Sequence, residues 1–189
     1  MWATCSRARG AVAVSEEVSQ PRPTVVAMET QINPTRIESS PRRRHDGRVA
    51  RVSSDPHRLR MLDLLVVNEE DAAVVVSLVC ARYQVPGPRL RLHARRSLFT
   101  GATERPRAAW VAELGESEVA ARESNGWGKL PRDGAIRLGR STTLMTVAHE
   151  LAHHLVFHLD PPSTPAHGNV WIGRFDQCAA VIGELVEPQ

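Results

Sequence analysis

The segment from residue 141 to residue 158 constrains the fold of this chain more than any other part of its sequence. Leucine, valine and alanine recur in it at the three- and four-residue spacing of a helix with an apolar stripe. Ser141 has the residue type of a helix N-cap, and Asp160 is followed by two prolines that stop a helix. We therefore predict the strongest helix of the chain over these residues.

This predicted helix carries the pattern HExxH, as His149-Glu150-Leu151-Ala152-His153. Residues four apart lie about 40° apart around a helix and about one turn along it, so both imidazoles can face one metal ion. Glu150 can take a proton from a water held by that ion without itself binding the metal. Because zinc lowers the pKa of a bound water towards about 7, the pattern predicts a zinc-dependent hydrolase.

A catalytic zinc ion takes three protein ligands, so a third must come from elsewhere in the chain. His167 is the strongest candidate, because it follows a Pro-Pro-Ser-Thr-Pro stretch that can turn the chain back towards the helix. Gly168 beside it lets the backbone pass close to the site. The acidic alternatives are Asp176 and Glu184, since another class of zinc peptidases takes a carboxylate ligand from a later helix.

Other candidate side chains near the motif have a simpler structural interpretation. His154 and His158 lie about 140° and 180° around the helix from the first histidine of the motif, so we expect them to point away from the metal. His154 can still reach the cleft as a hydrogen-bond donor. Trp171 and Phe175 are expected in the core, whereas Trp127 in a glycine-rich loop is the better candidate for a cleft wall.

The remaining periodicities predict helices followed by short strands. Residues 56–83 repeat apolar positions near helical spacing and predict one or two helices. Residues 89–96 alternate as a half-buried strand does, and residues 108–114 and 134–138 predict two weaker strands. A second helix is expected from about His167 onward. The predicted order is helix, strands, motif helix and closing helix.

The first part of the chain differs in composition from the rest. Residues 1–56 contain Pro21, Pro23, Pro34 and Pro41 among serine, threonine and arginine without an apolar period, which predicts a disordered tail before a domain at residues 57–189. The tail holds 9 Arg against 6 acidic residues, whereas the rest holds 15 basic and 15 acidic residues. The run Arg42-Arg43-Arg44-His45 can contact nucleic acid or an acidic partner, but a solvated linker is the favoured interpretation of so short a run.

Composition also limits where the protein is expected to act. Three widely spaced cysteines argue against a disulfide framework and against a CxxC zinc ribbon. We find no run of about 18 to 20 apolar residues that would span a membrane, and the short apolar stretch near the N-terminus does not resemble a signal peptide. We therefore expect a cytoplasmic protein with no membrane partner.

The motif and its flanks resemble a known group of enzymes. His-Glu-Leu-Ala-His-His-Leu at residues 149–155, then His167-Gly168 and an aromatic residue on a closing helix, is similar to small metallohydrolases of actinobacteria and their phages. These in turn resemble the minimal SprT-like and Spartan-type zinc metallopeptidases. The family usually shows His-Gly-Pro-x-Phe, whereas this chain has Trp171 as the aromatic and Asn169 in place of the proline.

This resemblance implies a compact α+β, zincin-like domain with a small sheet, an HExxH active-site helix and a C-terminal closing helix. It also implies Zn²⁺ held by His149, His153 and His167, with Glu150 as the catalytic acid and base and a peptide or protein as the substrate. Two other functions remain open at this point. One is a non-catalytic protein stabilised by zinc, and the other is a nucleic-acid-associated protease recruited by the basic tail.

Overall fold

A computed structural model shows six α-helices and a small three-stranded sheet in the part of the chain that it describes. The described residues are 55–92, 101–139 and 142–186, together with the backbone of residues 35–36. All of them belong to one compact unit. The fold is therefore of the α+β class. Most of the predicted tail, residues 1–56, lies outside the described residues.

The helices and strands follow one another in an order close to the predicted one. The helices are α1 (Pro56–Leu64), α2 (Glu69–Arg82), α3 (Arg107–Leu114), α4 (Glu116–Arg122), α5 (Leu144–Leu159) and α6 (Asn169–Val186). The strands are β1 (Thr35–Arg36), β2 (Leu65–Val66), β3 (Arg89–Leu92), β4 (Gly101–Glu104) and β5 (Ala135–Leu138). A wide helical turn at Glu123–Trp127 follows α4.

Residues 56–83, for which one or two helices are predicted, form the two helices α1 and α2, and both begin with a side-chain cap. The carboxylate of Asp55 accepts a hydrogen bond of 3.0 Å from the backbone N–H of Arg58. The side-chain oxygen of Asn68 accepts one of 2.8 Å from the backbone N–H of Asp71. Each cap satisfies an N–H group that the first helical turn leaves without a partner.

The sheet has the order β3-β5-β4, with β3 parallel and β4 antiparallel to β5. Strands β3 and β5 lie in the segments predicted as strands. The strand predicted over residues 108–114 is wrong, because these residues form α3. Three alanines give this segment a high helix propensity, and Pro106 precedes its first turn. The third strand is instead β4, whose sequence Gly-Ala-Thr-Glu has no apolar alternation.

Helix α5 lies at the centre of the fold. It packs against α6, α1 and α2, and also against strands β4 and β5 of the sheet. Its apolar stripe is buried, and Trp171 and Phe175 of α6 are buried in the same core, as the sequence predicted. The helix thus has neighbours on several faces, and the HExxH residues lie in its middle.

The ends of α5 differ slightly from the predicted ones. Thr143 caps the helix, its hydroxyl accepting a hydrogen bond of 3.3 Å from the N–H of Thr146, so the predicted cap at Ser141 is wrong. Thr143 itself has an extended backbone and forms an antiparallel bridge with Val66. Asp160 ends the helix as predicted, and its N–H donates to the carbonyl of Val156.

No helix within the described ranges has the length and apolar character needed to cross a membrane.

Candidate metal centre

Helix α5 presents His149 and His153 on one face, as the four-residue spacing predicts. The centroids of their rings lie 5.0 Å apart, and both side chains are half-buried. They lie on the side of α5 that faces the start of α6, because both rings also contact Trp171 of that helix. Two ring nitrogens are thereby placed next to the loop that joins α5 to α6.

This loop brings His167 onto the same two rings. His167 has a backbone φ of 60°, which lies in the left-handed region that a side chain other than glycine adopts at a cost. The N–H of Gly168 donates to the carbonyl of Pro165 at 3.2 Å, and the N–H of Ile172 donates to the carbonyl of Gly168 at 2.9 Å. These bonds define the turn that aims His167 at the helix.

The three imidazoles meet at their Nε2 atoms. The His167 Nε2 lies 3.3 Å from the His149 Nε2 and 3.1 Å from the His153 Nε2. The three possible ligand atoms all lie within 4.8 Å of one another. Ligand nitrogens around a tetrahedral zinc ion, each about 2.0–2.1 Å from it, are separated by about 3.4 Å. The spacing of the cluster therefore suits one metal ion.

The protonation of the cluster also suits a metal ion. Burial, together with a smaller effect of the neighbouring His149 and His167 rings, lowers the pKa of His153 to about 3. At neutral pH the His153 ring is therefore uncharged, as a metal ligand must be. A purely hydrogen-bonded cluster is the alternative, but the Nε2 of His167 carries either one hydrogen or one lone pair and cannot form a full hydrogen bond to both neighbours.

The other candidate ligands do not join this cluster. Within the described ranges, the cluster of possible metal ligands consists of histidines alone and includes neither Asp176 nor Glu184. His154 is fully buried, and its Nε2 donates a hydrogen bond of 2.7 Å to the carbonyl of Pro86. His158 lies 3.4 Å from the carbonyl of Asp133. Both side chains thus point towards the loops that carry Pro86 and Asp133 and away from the histidine cluster, as predicted.

Glu150 is held against strand β4. Its side chain is only 5% exposed, and its carboxylate Oε2 accepts a hydrogen bond of 2.7 Å from the hydroxyl of Thr103. Burial raises the pKa of Glu150 to about 7, although the hydrogen bond from Thr103 acts in the opposite direction. The carboxyl group is therefore able to take up and release a proton near neutral pH.

Sequence reasoning missed two neighbours of the motif. Trp171 was expected only as a core residue, but its ring centroid lies 4.8, 5.2 and 4.6 Å from those of His149, His153 and His167. Its position four residues after His167, at the start of the predicted closing helix, was the available signal. Thr103 had no such signal, because it lies on a strand that the sequence did not reveal.

Trp127, predicted as a possible wall of the cleft, lies in a different aromatic group. It is 44% exposed, and its ring packs edge-on against Trp110 at 5.2 Å. The guanidinium of Arg122 lies over it at 4.8 Å. The contacts of Trp127 are thus with α3 and α4, and its role as a cleft wall stays a prediction.

Comparison of the chain with protein-family models, with curated proteins and with solved structures finds no match in any of the three.

Proposed function

We propose that this protein is a zinc-dependent hydrolase that cleaves peptide bonds. The observation that carries the proposal is the meeting of three histidine nitrogens at α5, a helix that also carries a buried glutamate next in sequence to the first of these histidines. His149, His153 and His167 would hold the ion, and Glu150 would act as the general base. The donor set fits zinc, which binds neutral imidazole nitrogens readily.

A zinc ion bound there would polarise the scissile carbonyl and make hydroxide available near neutral pH. Glu150 removes a proton from the attacking water and later delivers that proton to the leaving amine. The new C–O bond replaces the broken C–N bond, and the carboxylate returns to its starting state. A pKa of about 7 suits both transfers, because a general acid or base works best when its pKa lies near the working pH.

The layout of the domain supports the same proposal. The HExxH residues lie on a central helix, a small mixed sheet packs on that helix, and α6 follows the third histidine. A zincin-like fold is expected to have this arrangement. The similarity of the motif to SprT-like and Spartan-type peptidases makes a peptide or protein the proposed substrate.

The exposure of the cluster favours catalysis over a purely structural zinc site. A structural zinc site has four protein ligands and no open position, whereas a catalytic site has three and binds water or substrate at the fourth. The described part of the chain brings together three possible ligands, and His167 among them is exposed. Recruitment by nucleic acid would depend on Arg42, Arg43 and Arg44, which lie outside the described residues.

The test combines metal analysis with a cleavage assay on the full chain. We expect about one zinc per chain after purification without chelator, and cleavage of a decapeptide library detected by mass spectrometry. Glu150→Gln should retain zinc but lose cleavage by about 100-fold or more, because an amide cannot accept the proton. Glu184→Gln is the matched control, since Glu184 is exposed on α6, and it should behave as the parent does.

Each half of the proposal can fail separately. Zinc content near zero in zinc-replete preparations would remove the metal centre. Unchanged cleavage by the Glu150→Gln protein, on a peptide that the parent cleaves, would remove Glu150 as the base. Zinc binding without any cleavage, and without any effect of chelator beyond unfolding, would favour the non-catalytic alternative.

A further inference from the structure

Strand β4 runs directly beside the glutamate of the motif. It packs against α5 and pairs with β5 in the register Gly101↔Leu138 and Thr103↔Ile136. The hydroxyl oxygen of Thr103 lies 2.7 Å from Oε2 of Glu150 and 2.9 Å from the backbone carbonyl oxygen of Glu150. One side chain of the strand therefore contacts both ends of the same glutamate.

The single hydrogen of this hydroxyl goes to the carboxylate when Glu150 is ionised. A charged acceptor forms a shorter and stronger hydrogen bond than a neutral one, and the carboxylate contact is the shorter of the two. The backbone carbonyl of Glu150 also accepts the regular hydrogen bond of an α-helix, from the residue four positions later. The hydroxyl thus fixes the rotation of the carboxylate about its last bond.

Gly101 limits the carboxylate from a second direction. A Cβ atom at this position would lie 2.7 Å from Oε1 and 2.9 Å from Cγ of Glu150, which is closer than real Cβ contacts come. Only glycine therefore lets the strand approach the glutamate side chain to this distance. With Thr103 on one oxygen and the Gly101 backbone beside the other, the buried side chain has little freedom to change rotamer.

We propose that Thr103 is a positioning residue for the general base Glu150, holding its carboxylate in a single orientation for proton transfer. This inference rests on the proposed function, because it needs Glu150 to act as the base. Thr103 does not itself exchange the transferred proton. Its effect is to keep the acceptor oxygen in place, and small misplacements of a catalytic group cost substantial rate.

The test compares two substitutions at Thr103. Thr103→Val keeps the shape of the side chain and removes the hydroxyl, so we expect kcat to fall by about 10-fold or more, with KM within about twofold. Thr103→Ser keeps the hydroxyl and should retain most of kcat. Both variants should carry as much zinc as the parent. Adding Thr103→Val to Glu150→Gln should change the residual rate little, since the two residues act as one unit.

A spectroscopic measurement gives a readout that is independent of turnover. The side-chain carboxyl ¹³C resonance of Glu150, assigned by its absence in Glu150→Gln, should shift in Thr103→Val and remain near the parent position in Thr103→Ser. Gly101→Ala should also move it, because the added Cβ displaces the carboxylate.

Different results would overturn the positioning role of Thr103 and the proposed hydrolase function. An active parent with full kcat in Thr103→Val, equal losses in the valine and serine variants, or loss of zinc in Thr103→Val would each overturn the positioning role alone. A parent that binds zinc but cleaves no peptide would overturn the proposed function, and the catalytic role of Thr103 with it.

Discussion

At the scale of single residues, the backbone of His167 is the feature on which the histidine cluster most depends. Its left-handed conformation is unusual for a residue with a side chain, and it aims the ring at two histidines fourteen and eighteen positions earlier. Strained conformations of this kind persist only where the surrounding structure holds them. Two turn hydrogen bonds, to Pro165 and from Ile172, hold the chain on either side of this residue.

Removal of the His167 ring should therefore destroy high-affinity zinc binding. We expect His167→Ala to weaken zinc affinity by about 100-fold or more, because two helical ligands alone leave the site incomplete. His158→Ala, on another face of α5, and Asp176→Asn should stay within about threefold of the parent. Competition with a chelating dye measures all three. Normal affinity in His167→Ala together with loss in Asp176→Asn would assign the third ligand to the carboxylate.

His154 should make the stability of the zinc-free protein depend on pH. Burial lowers its pKa from 6.5 to about 4, so the folded state favours the neutral ring. The contribution of the neutral His154 ring to the free energy of unfolding is fully present above pH 6.5 and is lost as the pH falls towards 4. The loss should be on the order of 3 kcal/mol in the free energy of unfolding.

Urea unfolding of the zinc-free parent and of His154→Gln, at several pH values from 7 to 4, measures this loss. The buried His153 also destabilises the folded protein as the pH falls over this range, but it does so in both proteins. The difference between their free energies of unfolding therefore reports on His154. The gap between the two free energies should narrow as the pH falls. Parallel curves would show that His154 keeps its ordinary pKa in the folded protein.

At the scale of elements, the pair α5 and α6 builds most of the candidate site. Arg174 of α6 donates two hydrogen bonds, each of 2.9 Å, to the two carboxylate oxygens of Asp160 at the end of α5. Both side chains are largely buried. This contact fixes the end of α5 against α6, and the loop that carries His167 starts at Asp160.

Arg174→Lys tests this link, because lysine keeps the charge but cannot form the two parallel hydrogen bonds. We expect zinc affinity to fall by about 3- to 10-fold and the free energy of unfolding to fall by about 1–2 kcal/mol. Arg132→Lys, with a side chain that is 95% exposed, is the matched control and should change neither quantity. Unchanged zinc affinity in Arg174→Lys would show that the loop holds His167 without the ion pair.

The elements also show which parts of the site sequence reasoning can reach. The positions of His149 and His153 follow from local helix geometry, and the prolines before His167 indicated a loop that returns to α5. Strand β4 could not be found in this way, because Gly-Ala-Thr-Glu lacks an apolar period. It forms a strand because it pairs with β5. The contact between Thr103 and Glu150 depends on that pairing. That the three histidines bind zinc stays a prediction.

At the scale of the whole molecule, the described elements pack around α5 on several faces. Before α1 the structure describes β1, whose two residues pair with β2 next to the bridge between Val66 and Thr143. A two-residue pairing contributes little stability by itself. The first thirty residues show no apolar period in their sequence.

Two truncations test whether the domain folds without the beginning of the chain. A chain of residues 31–189 should match the parent in melting temperature and in zinc content. A chain of residues 55–189, which also lacks β1, should melt within a few degrees of it, since a change of about 1 kcal/mol shifts the melting temperature by a few degrees in a domain of this size. Loss of cooperative unfolding in the first truncation would show that residues 1–30 pack on the domain.

The contacts of the site join residues at very different separations along the chain, so they should break at different stages of partial unfolding. The three histidines lie within one helix-loop-helix hairpin, so their meeting needs only local folding. Thr103 reaches Glu150 from 47 residues away. Native-state opening occurs in contiguous units, so detachment of β4 can leave the hairpin closed. In hydrogen exchange, the amides of β4 should then exchange before those of α5, and a partly opened molecule would keep the three histidines together while the carboxylate of Glu150 is released.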